Sequence, residues 1–327
     1  MANFFYSIHG MIRIRSNVRL NLPEHFLVKK NNPNFIVREG DFSVEPDVYN
    51  VGDRFQGKRN YICDNFNKAK RLPVSMKLSL KNIKGTTELK YTPAYKKFIG
   101  IDNILFSILE LKLLYNDMRF LHSACLGLNG RGIVIAGWSD IGKTSTTLRL
   151  IKHGAEYLTE DSTIIDKKGN GYSFPEAPSI SMKLTDFDIP TKKKISLKFK
   201  SIVTKFPYTT KIVGAKETID IPCNRDKIRV DKLFILRHGS KTVLKMPKEV
   251  ALDSLTMSTE YIHSYLNDPQ KLIPAYFYLN GENLDRMKDK QREILESALK
   301  HMEVFLLRTT DPKDYEQMIL EKIGMGG

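Results

Sequence analysis

The chain carries 327 residues, 41 % of them hydrophobic, enough for a core without covalent staples in one large domain or two ordinary ones. Three scattered cysteines, Cys63, Cys125 and Cys223, exclude a disulfide framework and a zinc-binding pattern and suit a reducing cytoplasm. The formal net charge of +15 invites a nucleic-acid partner, but charge alone speaks only to non-specific attraction, and the absence of a zinc finger or aromatic RNA-binding motif makes nucleic acid an unexpected ligand.

Residues 1–95 read as a β-rich N-terminal region ahead of a nucleotide-binding domain over residues 96–327, and the two can pack as one unit. Met11 to Arg15 and Phe35 to Arg38 are strand-like runs between turn residues, and Met1 to Arg15 holds no apolar signal core. Asn50 to Lys70, dense in charge and in Asn, Asp and Gly, predicts a long surface loop. Leu78 to Leu80 and Glu88 to Tyr91, joined through Lys84-Gly85-Thr86, predict a hairpin. Asp102 predicts the N-cap of a helix to about Asn116, apolar nearly all round and therefore buried. Glu110 and Lys112 interrupt this most apolar stretch, so no membrane span is expected and the cytoplasm is the expected setting.

From about Leu121 the pattern changes to that of a nucleotide-binding core. Phe120 to Cys125 reads as a strand that turns through Asn129-Gly130-Arg131-Gly132 into a second, Gly132 to Ala136. Gly137-Trp138-Ser139-Asp140-Ile141-Gly142-Lys143-Thr144 then completes a phosphate-binding loop of the form G-x-x-x-x-G-K-[ST], the Walker A string, with Ser145 behind it. Backbone N–H groups of Gly137, Ser139, Asp140, Ile141, Gly142, Lys143, Thr144 and Ser145 are expected to cradle the phosphates of ATP or another nucleoside triphosphate. Lys143 would reach the β- and γ-phosphates, and the Thr144 hydroxyl would ligate Mg²⁺. Thr144 to Lys152 reads as a helix stopped by Gly154, its positive end aimed at the phosphates.

Glu156 to Thr159 predicts a short strand with Glu160 and Asp161 at its C-terminal end, the ligand-facing edge of an open parallel sheet. Two adjacent acids there call for a cation, and Thr144, Glu160 and Asp161 form the expected Mg²⁺ set, against the plainer reading of an acidic turn. His122, taken alone, reads as a structural histidine more often than a catalytic one. Asp166-Lys167-Lys168-Gly169 matches a GTPase D-x-x-G string but reads better as the turn of a hairpin from Thr163-Ile164-Ile165 to Tyr172-Ser173-Phe174. Asn67-Lys68-Ala69-Lys70 fails the guanine motif at its last position, so a switch GTPase is not expected.

Ile189 to Lys216 holds eight lysines and no acid. Within it Ile195, Leu197 and Phe199 alternate with Ser196, Lys198 and Lys200, which predicts a strand with one basic face, solvated or docking an acidic partner or substrate, with nucleic acid the remaining alternative. That strand and Glu176 are candidate walls of the substrate pocket. Leu233 to Leu236 predicts a strand, followed by helices over Val250 to Leu266, Asn283 to Met302 and Pro312 to Ile323, with a buried strand at Glu303 to Leu307 and a loose tail at Gly324 to Gly327.

Residues His122 to Ile165 resemble the HPr kinase/phosphorylase-like family, in which a His precedes a strand, a P-loop, a helix ending near Gly, and a strand ending in an acidic pair. The likeness extends to Ser7-Ile8-His9-Gly10 and to Leu233 to Leu236, and the core also resembles that of phosphoenolpyruvate carboxykinase. It implies an α/β fold of that type, with a β-rich N-terminal region and C-terminal helices. It also implies active-site roles for His122 near the phosphates, Lys143 on the γ-phosphate, Thr144 on Mg²⁺ and Asp161 as general base. Asp140 stands where the family has a loop glycine, Glu160 where it has the first aspartate, and the family's downstream Gly-rich segment is not found. The expected activity is therefore a Mg²⁺-dependent kinase acting on a hydroxyl of a small molecule or of a protein or peptide serine. A nucleotide-binding regulator or scaffold without transfer is the alternative, and a homo-oligomer stays open.

Overall fold

A computed structural model describes residues 3–66, 74–175, 225–262 and 271–325, together with Cys223 and Leu266. The fold is mixed α/β, with two sheets and flanking helices, in two compact units: Met1–Phe120 with Thr259–Ser297, and Leu121–Ser258 with Ala298–Gly327. Among the described residues no helix is long and apolar enough to cross a membrane. The basic strand expected over Ile195 to Lys200, Glu176, and the Asn67-Lys68-Ala69-Lys70 string lie outside the described residues.

The first unit is built on β1 (Phe4–Ile8), β2 (Ile12–Ser16), β3 (Leu27–Val28), β4 (Phe35–Glu39), β5 (Tyr49–Val51), β6 (Phe55–Lys58), β7 (Tyr61–Asn65), β8 (Lys77–Lys81) and β9 (Thr87–Tyr91). They form one sheet in the order β3-β1-β2-β4-β9-β8-β7-β6-β5. Period-2 patterning sets its faces: in β2, Ile12, Ile14 and Ser16 are buried while Arg13 and Arg15 turn outward. β8 and β9 form the expected antiparallel hairpin.

The loop expected over Asn50 to Lys70 is overturned as far as Asn65, because β5, β6 and β7 occupy it. Two of the charges that suggested solvent pair with each other, a buried Asp64 with a partly exposed Arg54. Asp64 accepts from Arg54 Nε at 3.0 Å and again from Arg54 Nη2, and from the Tyr95 hydroxyl at 2.8 Å, which satisfies a carboxylate that is fully buried.

The helices α1 (Pro93–Phe98) and α2 (Asp102–Leu114) follow. Ile101, not Asp102, sits at the α2 cap, and Asp102 is the first helical residue, where its charge still suits the helix dipole. As expected α2 is largely buried, Glu110 and Lys112 included, while Asp102 at its start is exposed. Glu110 accepts from the Phe120 N–H at 2.9 Å and from Gln291 Nε2 at 2.6 Å; burial pushes its carboxyl above the ordinary range, opposed by Arg119.

The second unit contains β10 (Met118–Leu128), β11 (Arg131–Gly137), α3 (Lys143–Lys152), β12 (Glu156–Thr159), β13 (Ser162–Asp166), β14 (Asn170–Tyr172), β15 (Lys227–His238), β16 (Thr242–Lys245) and α4 (Lys248–Ile262). Asn129 and Gly130, both left-handed at φ 52° and 72°, make the tight turn from β10 into β11. β11 pairs antiparallel with β10 and parallel with β15. β12 pairs antiparallel with β10, so the edge that carries the acidic pair belongs to a mixed sheet, not to the open parallel sheet expected. The Asp166 string is the hairpin turn: its Oδ1 accepts from the Lys168 and Asn170 N–H groups, both at 2.9 Å.

The C-terminal part adds α5 (Leu272–Leu279), α6 (Asp285–Leu299), β17 (Glu303–Thr309) and α7 (Asp314–Ile323). α5, which packs over β6 and β7, was not among the expected helices; it contains a proline, Pro274. It stands in the first helical turn, where no N–H is needed. β17 runs parallel to β15, with β16 antiparallel on its far side. Apolar residues of β10, β11, β15, β17, α3 and α7 fill the core of this unit.

Candidate active site

Strand direction assembles the site. β10 runs against both β11 and β12. The start of β10, the end of β11 and the end of β12 therefore share one edge, and on it lie His122, the loop after Gly137, and Glu160 with Asp161. The register fixes the height: Ser123 pairs with Ala136, and the Ser123 N–H donates to the Asp161 carbonyl at 3.2 Å. Below this edge Ser123 Oγ bonds Thr163 Oγ1 at 2.9 Å, which ties β10 to β13.

The loop from Gly137 to Thr144 joins β11 to α3 in the strand-loop-helix order expected. Gly142 has φ 109°, and a Cβ there would meet Pro312 Cβ at 2.8 Å, so only glycine fits. Asp140 also lies in the left-handed region, at φ 60°. It thus adopts the conformation that a glycine supplies, which aspartate tolerates better than most residues. Ser139 and Asp140 are exposed, Ser145 Oγ donates to the Gly142 carbonyl at 2.9 Å, and Ile141 packs on the core. No side chain caps α3, which leaves its first N–H groups directed at the loop.

Lys143 is buried and its three donors have three acceptors. Nζ donates to the carbonyls of Gly137 at 3.0 Å and Trp138 at 3.3 Å, and meets His122 Nε2 at 2.8 Å. An ammonium can only donate, so His122 Nε2 accepts and the ring proton sits on Nδ1. Nδ1 faces Asp161 Oδ1 at 3.2 Å. Burial pushes the Lys143 ammonium below the ordinary lysine range, and the carboxylates of Asp161, Glu160 and Asp140 oppose that shift.

The acidic pair divides its surroundings. Glu160 is only 6 % exposed and accepts a hydrogen bond from Thr144 Oγ1. Asp161 has 41 % of its side chain exposed and faces His122. One carboxylate is thus fixed beside the start of α3, and the other is held at its back and open to solvent. Among the described residues no three His, Cys, Asp or Glu side chains gather to hold a metal by themselves. Thr144 and Glu160 offer two oxygens at one point, the kind of partial set that Mg²⁺ uses when phosphate and water complete its shell.

His122, Lys143, Thr144, Glu160 and Asp161 therefore converge, whereas Ser139, Asp140, Ile141 and Ser145 enter the site through the backbone of the loop and helix. Sequence reasoning missed Trp138, a half-exposed aromatic on the loop, and Pro312, which closes over Gly142. Trp138 had a signal, as the chain's single tryptophan inside the motif; Pro312 had none.

No protein-family model matches the chain. It is similar to HPr kinase/phosphorylases in part of its length. It is 29 % identical over 87 residues to that of Exiguobacterium sp. (strain ATCC BAA-1283 / AT1b), 27 % of either chain. To that of Mycoplasmopsis pulmonis (strain UAB CTIP) it is 28 % identical over 92 residues, 28 % of this chain and 29 % of that one. To that of Clostridium botulinum (strain Eklund 17B / Type B) it is 35 % identical over 66 residues, 20 % and 21 %. The chain thus spans less than a third of the length of the curated relatives it matches, and the likeness supports the HPr-kinase-like relationship read from its motifs.

Proposed function

We propose that this protein is a Mg²⁺-dependent kinase that moves the γ-phosphoryl group of ATP, or of another nucleoside triphosphate, to a hydroxyl group, with Asp161 as general base. One observation carries the reading: His122 links the Lys143 ammonium to the Asp161 carboxylate through its two ring nitrogens. A buried ammonium and a solvent-open carboxylate are thereby joined beside a glycine-bounded loop, which supports their roles as phosphate contact and base. The names of the partial relatives point the same way.

The loop amides and the start of α3 would receive the phosphates, and Lys143 would turn its charge to the γ-phosphate. Thr144 and Glu160 would hold Mg²⁺, which supplies neutralisation of phosphate charge. Asp161, engaged by His122 and not by Thr144, is left for proton transfer. It takes the proton of the acceptor hydroxyl as that oxygen bonds to the γ-phosphorus and the bond to the β-bridging oxygen breaks. The products are a phosphate ester, a nucleoside diphosphate and a proton. The acceptor belongs to a small molecule or to a protein or peptide serine, and the reaction is placed in the cytoplasm.

The test is label transfer from γ-labelled ATP with Mg²⁺ into a lysate split into small molecules and proteins. Wild type should label one fraction. Asp161→Asn should cut the rate by about 10²- to 10⁴-fold while ATP binding, measured by calorimetry, persists. An Asp161→Asn protein that transfers at the wild-type rate overturns the mechanism, and a wild type that binds ATP yet labels nothing supports a regulator.

A further inference from the structure

A cavity of about 570 Å³ opens within the second unit beside the start of the loop. Its walls come from Gly137, Trp138 and Ile141, from the end of β15, and from one face of α4. Trp138 and Met257 stand 49 % and 68 % exposed on it, beside a half-exposed Val250. A fixed cation in the wall is Arg237, whose Nη2 donates to Ser254 Oγ at 3.1 Å; Asp253 lies on the same helix face as Ser254. The size suits a small organic ligand, and apolar walls with a few polar groups are what such sites show.

Position identifies the occupant. Gly137 and Trp138 line the cavity, and their carbonyls hold Lys143 Nζ at 3.0 and 3.3 Å. Thr144 and Ser145, at the helix end of the cradle, do not line it. On the kinase reading, on which this inference rests, Lys143 marks the γ-phosphate, and the rest of the nucleotide runs away from the cavity toward α3. Two further contacts, 2.8 Å to His122 and 3.2 Å onward to Asp161, lead from the same rim to the general base. We infer that this cavity is the acceptor subsite, and that the acceptor is a small amphipathic hydroxy compound. Its apolar body rests on Trp138, Val250 and Met257, its anionic group faces Arg237, and its hydroxyl extends out of the cavity at the Gly137–Trp138 rim toward Asp161, which like Lys143 and His122 lies outside the lining. Transfer converts that hydroxyl to a phosphate ester, releases the nucleoside diphosphate and leaves its proton on Asp161.

Trp138, the chain's single tryptophan, reports occupancy directly. The probe is anilinonaphthalene sulfonate, an apolar body with one anion that accepts energy from tryptophan emission. The full-length protein should show saturable transfer from Trp138 to the probe, and ADP with Mg²⁺ should leave its Kd unchanged. Val250→Glu and Met257→Glu, at exposed positions, should each weaken the probe by at least about tenfold, since a carboxylate then faces its apolar body. Arg237→Gln should weaken the sulfonate probe and spare its uncharged parent, phenylnaphthylamine. The probe should also inhibit label transfer competitively with the acceptor fraction and not with ATP. Displacement of the probe by ADP or adenosine would make the cavity a nucleobase site and overturn the inference. Indifference to Val250→Glu and Met257→Glu would overturn it too. Neither result touches ATP binding by the loop, which calorimetry on the same samples reports separately, so failure here is distinguishable from failure of the kinase reading.

Discussion

Removing the His122 ring tests whether it positions the base. His122→Ala deletes an acceptor from the buried Lys143, a bond of 2.8 Å to a charged donor, worth roughly 1.5–3 kcal/mol. It also deletes the contact to Asp161 at 3.2 Å, but that carboxylate is 41 % exposed, so water screens the loss to about 1 kcal/mol or less. A cost of roughly 2–4 kcal/mol leaves a domain of ordinary stability folded. Lys143 keeps the Gly137 and Trp138 carbonyls, and the loop amides are untouched, so nucleotide Kd should move by less than about tenfold. The rate should respond more. Asp161 loses the group that aims it, and misplacement of a reacting group by an ångström costs about 10²-fold. His122→Gln, whose amide can accept from Lys143 and donate to Asp161, should recover part of that loss. The assay is single-turnover phosphoryl transfer, with melting temperature recorded on the same samples. If His122→Ala lowers the melting temperature and leaves the rate per folded molecule at the wild-type value, His122 is structural and the link to Asp161 carries no chemistry.

Lys143→Ala should weaken nucleoside triphosphate binding and abolish transfer, because a cation buried behind the loop is lost; equal ATP affinity in variant and wild type by calorimetry would refute the phosphate-loop assignment. In the first unit, burial pushes the Lys112 ammonium down to about 8 from an ordinary 10.5, with one bond of 3.1 Å to the Gly85 carbonyl. The folded pKa is depressed, so below about 8 the fold carries the full cost of a buried charge. Between about 8 and 10.5 the unfolded chain holds a proton that the fold has released, so stability should rise with pH across that window. Lys112→Met should flatten that rise and stabilise the protein at neutral pH, with a ceiling of roughly 3 kcal/mol. Urea unfolding at pH 7 and pH 10 is the check, and parallel behaviour of variant and wild type would contradict it.

Much of the site was legible because its signals are local. The loop motif, the Asn129-Gly130 turn, the end of α3 near Gly154 and the Asp166 hairpin each depend on a few neighbouring residues whose backbone needs are chemical. The one departure within the loop was legible only as an anomaly. That Asp140 takes the left-handed conformation of a glycine follows from the path of the chain, which composition does not contain.

An error arose where charge was read without its partner. The charge density from Asn50 to Lys70 suggested solvent, but Asp64 on the buried β7 is matched by Arg54 from the turn before β6, and a carboxylate that is matched and hydrogen-bonded can leave water.

The sequence by itself determined that a phosphate-type loop sits between a strand and a helix, that two acids follow one helix and one strand later, and that a histidine precedes them. Only the tertiary structure decided that these meet. The antiparallel pairing of β12 with β10 brings Asp161 to His122, and the pairing of β10 with β11 brings His122 to Lys143. Strand pairing is a contact between distant segments chosen by the whole core, and a motif of eight residues carries no information about which strand will lie beside it.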